Sequence, residues 1–172
     1  MSSRASILLL AVVLAGAPAC SNSNTTGASQ SATFTAALSP TNEVPAATGT
    51  ETAGSGTATI TLTFQMDSSN NVTSATATFQ VSLTGFPATT VFTMAHIHQA
   101  AAGVSGAIVV NTGLASGQVT LTNGSGSFTE TSVSVPANIA QSMLSNPAGF
   151  YFNVHTVANP SGVARGQLVR TQ

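Results

Sequence analysis

The segment Thr57-Ala58-Thr59-Ile60-Thr61-Leu62-Thr63-Phe64 places a hydroxyl and a hydrocarbon at alternate positions. Side chains of an extended strand alternate faces with a period of two. The run therefore reads as a half-buried strand with one threonine face and one apolar face. Val72 to Leu83 repeats the pattern, and Ser69-Asn70-Asn71 before it reads as a hairpin turn. Further strand signals run over Phe34–Leu38, Val91–His98, Ala107–Asn111, Gln118–Leu121, Gly126–Val135, Phe150–Thr156 and Arg165–Val169. One helix interrupts them. Pro136 suits a first helical position, Ile139, Ala140, Met143 and Leu144 share one face, and Asn146-Pro147 ends it. Many short strands with one short helix predict an all-β chain, an antiparallel β-sandwich. The loop Val44–Ser55, rich in Ala, Thr and Gly, is expected at the surface.

Charge is almost absent. Only 4% of residues are charged, none is lysine, and the formal net charge is -1. A nucleic-acid binder needs a cationic face, so no nucleic-acid partner is expected. A helical protein laced with salt bridges is excluded on the same ground.

Residues 1–19 read as an export signal: Arg4, then an apolar run from Ala5 to Leu14, then Ala17-Pro18-Ala19 as an A-x-A-type cleavage site. The run is too short to span a membrane. Cys20 is the sole cysteine, so an internal disulfide is impossible. Ala19-Cys20 resembles the junction of a bacterial lipobox, although Ala17 and Pro18 depart from that pattern. The expectation is an exported lipoprotein, periplasmic or at the cell surface, held to the membrane by lipid on Cys20 alone. The alternative is a secreted protein with a free thiol. Residues 20–32 read as lipidated cysteine and flexible tether, and 33–172 as one domain.

The three histidines lie in two strand-like runs, Met94-Ala95-His96-Ile97-His98 and Tyr151-Phe152-Asn153-Val154-His155. His96 and His98 share a face, as do Asn153 and His155. If the strands are neighbours, all three imidazoles converge. One reading is a metal site of His96, His98 and His155, with Met94 adding a thioether and Asn153 fixing a histidine tautomer. Imidazoles with a thioether suit copper; three imidazoles alone also suit zinc. The other reading is a hydrogen-bonded brace, completed by Asn153, Asn159 and Arg165, with Glu43 as the carboxylate partner of Arg165 or of a histidine. A pH-dependent switch is a third reading. No carboxylate or cysteine lies near the histidines in sequence. No G-x-S-x-G nucleophile elbow and no phosphate-cradling glycine loop occurs. Phe64, Phe79, Phe86, Phe92, Phe128, Phe150 and Phe152 read as core, and Gly103, Gly106, Gly162 and Gly166 as turn or bulge glycines.

Several stretches, in order, resemble the chordin-type CHRD domain. They are Leu38-Ser39-Pro40-Thr41-Asn42-Glu43-Val44-Pro45, Gly56-Thr57-Ala58, Ala95-His96-Ile97-His98, Gly103, and Gly106-Ala107-Ile108-Val109-Val110. Tyr151-Phe152-Asn153-Val154-His155-Thr156, Asn159-Pro160-Ser161-Gly162 and Arg165-Gly166-Gln167-Leu168 complete the set. The resemblance implies an immunoglobulin-like, Greek-key β-sandwich. In animals it implies secreted antagonists of bone morphogenetic proteins, and in bacteria exported single domains. Ala46 departs from the usual second proline, and chordin's cysteine-rich modules are missing, so the growth-factor role does not carry over. The H-x-H strand is also similar to copper-zinc superoxide dismutases, without the further histidines and ligand aspartate of their two-metal site. The expected function is a non-enzymatic binding or structural module with an envelope or extracellular protein as partner. The alternative is a copper- or zinc-binding protein, with dismutase-like chemistry as its extreme form.

Overall fold

The computed structural model describes residues 27–172. Two antiparallel sheets face each other across one core. The five-stranded sheet contains β1 (Gln30–Leu38), β2 (Ser55–Met66), β3 (Val72–Thr84), β6 (Gly126–Ser134) and β9 (Val169–Arg170), in the order β6-β3-β2-β1-β9. The four-stranded sheet contains β4 (Phe92–Gln99), β5 (Ala107–Asn111), β7 (Phe150–Thr156) and β8 (Ala164–Gln167), in the order β5-β4-β7-β8. The helix α1 (Ala137–Ser145) crosses between the sheets in sequence, and Pro136 caps it from one position earlier than expected. The all-β sandwich with one helix is therefore the observed architecture.

The threonine–hydrocarbon alternation of β2 works as its period dictates. Ala58, Ile60, Leu62 and Phe64 are buried, while Thr57, Thr59, Thr61 and Thr63 point outward. β2 lies between β1 and β3, so its apolar side meets Phe34, Ala36, Phe79 and Val81. Across the sandwich, the Phe79 and Phe152 ring centroids are 5.8 Å apart, so one aromatic contact joins the two sheets. All seven phenylalanines expected in the core are buried there. At the β2–β3 turn, the Asp67 carboxylate accepts from the amides of Ser69 and Asn71, and Asn70 takes a left-handed φ of 63°. An Asx-type turn of this kind suits that residue order.

Several boundaries differ from the sequence reading. β1 begins at Gln30, so Gln30 to Ala32, assigned to the tether, pair with β2, and Ala32 is core. The run Gln118–Leu121 is no strand. It belongs to a loop between β5 and β6, where Gly113, Gly117 and Gly124 adopt positive φ and Leu114 and Val119 plug the core. The single strand expected over Arg165–Val169 is two. β8 pairs with β7 and β9 pairs with β1, so the chain changes sheets at the buried Leu168. The loop 44–55 is mostly exposed, but its 3-10 turn Gly49–Ala53 carries a buried Glu51. Among the described residues no helix is long and apolar enough to cross a membrane. The segment with Arg4, the apolar run and Cys20 lies outside the described residues.

Candidate metal site

β4 and β7 are the two central strands of the four-stranded sheet, and both of their faces are covered. Ala95 and Ile97 on β4, and Phe152 and Val154 on β7, fill the core. Their neighbours His96 and His98, and Tyr151, Asn153 and His155, must then lie on the opposite face. The antiparallel register sets His96 opposite Asn153, His98 opposite Tyr151 and Met94 opposite His155. On the next strand, Arg165 lies opposite Asn153 and Gln167 opposite Tyr151. Loops close over this face: residues 100–106, the 3-10 turn Pro40–Asn42 with Glu43, and the turn at Asn159–Gly162.

The three imidazoles converge. His96 Nδ1 stands 3.2 Å from His155 Nε2, and one ring nitrogen from each histidine lies within 4.8 Å of the others. His98 Nδ1 is 3.0 Å from the Gly106 carbonyl, and His155 Nδ1 is 3.0 Å from the Pro160 carbonyl. A carbonyl oxygen only accepts, so each of these nitrogens carries the proton. Their Nε2 lone pairs are thereby turned into the cluster. His155 Nε2 accepts from His96 Nδ1, while His98 Nε2 is buried and has no partner among the described residues. Burial holds all three imidazoles below the usual histidine range. His96 falls to about 4, through burial first and then through His155 and His98. His98 and His155 are lowered mainly by burial, each partly offset by its carbonyl. Three neutral imidazoles are a ligand set rather than a charge cluster.

The surrounding side chains fix the rings. The Tyr151 ring stacks on His98 with centroids 4.7 Å apart and planes 2° apart, and the Arg165 guanidinium lies 4.6 Å from the Tyr151 centroid. Arg165 Nε donates to the Asn42 carbonyl and Nη1 to the Val104 carbonyl at 3.2 Å, tying two loops to β8. Asn153 Nδ2 donates to both Glu43 oxygens, at 2.8 and 3.1 Å. Asn153 thus orients a carboxylate, not a histidine tautomer, and backbone carbonyls perform the tautomer role expected of it. Glu43 finds its hydrogen-bond partner in Asn153 rather than in Arg165 or a histidine. Burial raises its pKa to about 7, against the opposing pull of Arg165 and the Val44 amide. Gly162 is required here: at φ 132° a Cβ would stand 2.6 Å from both Asn153 Nδ2 and Glu43 Oε2.

A second buried carboxylate escaped the sequence reading. Glu51 Oε2 accepts from Thr156 Oγ1 at 2.6 Å and Asn159 Nδ2 at 2.8 Å, and Asn159 Oδ1 accepts from the Thr48 amide at 2.9 Å. The available signal was scarcity. From residue 27 onward the charged side chains are Glu43, Glu51, Asp67, Glu130, Arg165 and Arg170. Glu43, Glu51 and Arg165 are buried, and all three belong to networks on or beside the histidine strands.

The family model of the CHRD domain matches residues 34–168. The chain belongs to the CHRD domain family. No curated protein and no solved structure matches it. In this CHRD domain the A-H-I-H and N-V-H-T motifs are the two paired central strands of one sheet. The N-P-S-G motif supplies the carbonyl that holds His155. The R-G-Q-L motif supplies the guanidinium beside Tyr151, and its Gln167 amide donates to the Ala100 carbonyl at 3.1 Å. The family's motifs thus meet around the histidines. As a donor set, three neutral imidazoles, two of them with carbonyl-fixed protons, fit zinc or copper. They do not fit calcium or magnesium, which take oxygen ligands.

Proposed function

We propose that this CHRD domain is an exported, lipid-anchored module that binds one zinc or copper ion through His96, His98 and His155. The observation that carries the reading is the buried, unpartnered Nε2 of His98, beside the Nε2 of His155 that only His96 occupies. An unpartnered buried acceptor is costly in a protein interior. A metal ion relieves that cost and replaces the single imidazole–imidazole bond. Metal-ligating histidines characteristically donate their second ring nitrogen to a carbonyl or carboxylate, as His98 and His155 do here. The same bonds brace the loops, so bracing and ligation are one arrangement.

The reading is of a binding module rather than a hydrolase. Both carboxylates near the site are committed, Glu43 to Asn153 and Glu51 to Thr156 and Asn159. Export and lipid attachment rest on the signal-like segment ahead of Cys20. The test is to strip the purified protein with chelator, reload it with zinc or copper, and count bound metal. One ion per chain is expected, with His98→Ala and His155→Ala each losing it. A wild-type protein that retains neither metal ends the reading. Anchoring is tested separately by labelled fatty-acid incorporation, expected in the wild type and absent in Cys20→Ser.

A further inference from the structure

Met94 is 41% exposed, while every aromatic ring around it on β4 and β7 is buried. Alternation counted back from His98 and His96 puts it on their face, but alternation counted from Phe92 opposes that. Phe92, two residues earlier, is fully buried in the core, and simple pleating would send Met94 to the same side. The β4–β7 register shifts between these positions: Phe92 pairs with Thr156 and Met94 with His155, leaving Thr93 as the extra residue. A β-bulge of this kind re-aims the side chain that follows it. Here it takes an apolar side chain out of the core face and sets it directly across from His155, on the face of His96 and His98. Directly opposed residues have Cβ atoms about 4.5–5.5 Å apart. A methionine with three rotatable bonds spans that gap readily.

We propose that Met94 supplies its thioether as a fourth ligand at the solvent side of the histidine cluster, and that this ligand makes the site prefer copper(I) to zinc. The inference rests on the three-histidine reading above and names its metal. Thioether sulfur is a soft donor that selects copper(I), whereas zinc draws its ligands from thiolate, imidazole and carboxylate.

The test compares wild type with Met94→Leu, which preserves an apolar side chain at an exposed position. Copper(I) affinity is measured anaerobically by competition with a chromophoric chelator, and zinc affinity in parallel. The expected result is a loss of about tenfold or more for copper(I), the scale on which metal sites respond to loss of a supporting group, with zinc binding unchanged. X-ray absorption on the copper(I) protein should show a sulfur neighbour in the wild type and none in the variant. Unchanged copper(I) affinity, an equal loss for both metals, or no sulfur neighbour overturns the role of Met94 and leaves the histidine site standing. A wild type that binds neither metal removes both.

Discussion

The two sheets share one core but treat their outer faces in opposite ways. On the five-stranded sheet, Thr59 lies between Thr35 and Gln80, and Thr61 lies between Thr33 and Thr78. These side chains are exposed or half-buried, so their polar groups stay open to solvent. On the four-stranded sheet the outward row is His96, Asn153 and Arg165, each buried. Every residue of β7 is buried, whichever way it points. Polar groups on the first face cost little because water remains their partner. On the second, each must find a partner inside the protein. A polar side chain on the threonine face is therefore replaceable, while one on the histidine face is held in a network whose loss leaves another group stranded.

The contrast is broken most forcefully from the core that both sheets share. Phe152→Ala removes a fully buried ring that packs on Phe79, and should cost about 3–5 kcal/mol in chemical denaturation. A loss below about 1 kcal/mol would mean that the sheets do not depend on this contact. On the histidine face, Asn153→Leu leaves the Glu43 carboxylate buried without its donor, and should cost about 2–3 kcal/mol. On the threonine face, Thr63→Ala should change stability by no more than about 0.5 kcal/mol. Equal costs for these last two substitutions would erase the difference between the faces.

Titration sharpens the same contrast. In the metal-free domain His96 has a folded pKa of about 4, below the ordinary histidine value of 6.5, so the unfolded chain takes up the proton first. Stability present above pH 6.5 is therefore lost as pH falls toward 4. Glu43 has the opposite sign. Its folded pKa of about 7 lies above the ordinary glutamate value of 4.5, so the stability it contributes is full below pH 4.5 and is lost as pH rises through 7. Glu43→Gln should match wild type at acid pH and exceed it at pH 8 by on the order of 2 kcal/mol, measured as urea midpoints at both pH values. A constant offset between the two proteins would show that Glu43 ionisation does not tax the fold.

Much of this was legible in the sequence. The two-residue period of β2 and β3 depends only on strand geometry, and their hairpin on local Asp and Asn chemistry, so both appear as read. The common face of His96 and His98 follows from the same period. Local pattern did not reveal the split of Arg165–Val169, because β8 and β9 are separated by which sheet each hydrogen-bonds to. It misread Gln118–Leu121 because strand-like composition is not pairing, and glycines with positive φ carry that segment away from both sheets. It gave Asn153 to a histidine because the carboxylate that claims it, Glu43, is 110 residues away in the chain.

The sequence by itself determined the all-β character, the threonine face, the apolar core and the family, since each is written in short-range periodicity or in ordered motifs. Tertiary structure decided that the two histidine strands are neighbours, that backbone carbonyls hold the His98 and His155 protons outward, and that a bulge lets Phe92 enter the core while Met94 stays on the histidine side. Those facts depend on register and on contacts between distant segments. A one-residue shift in pairing would exchange the faces, and no local preference records which pairing is made.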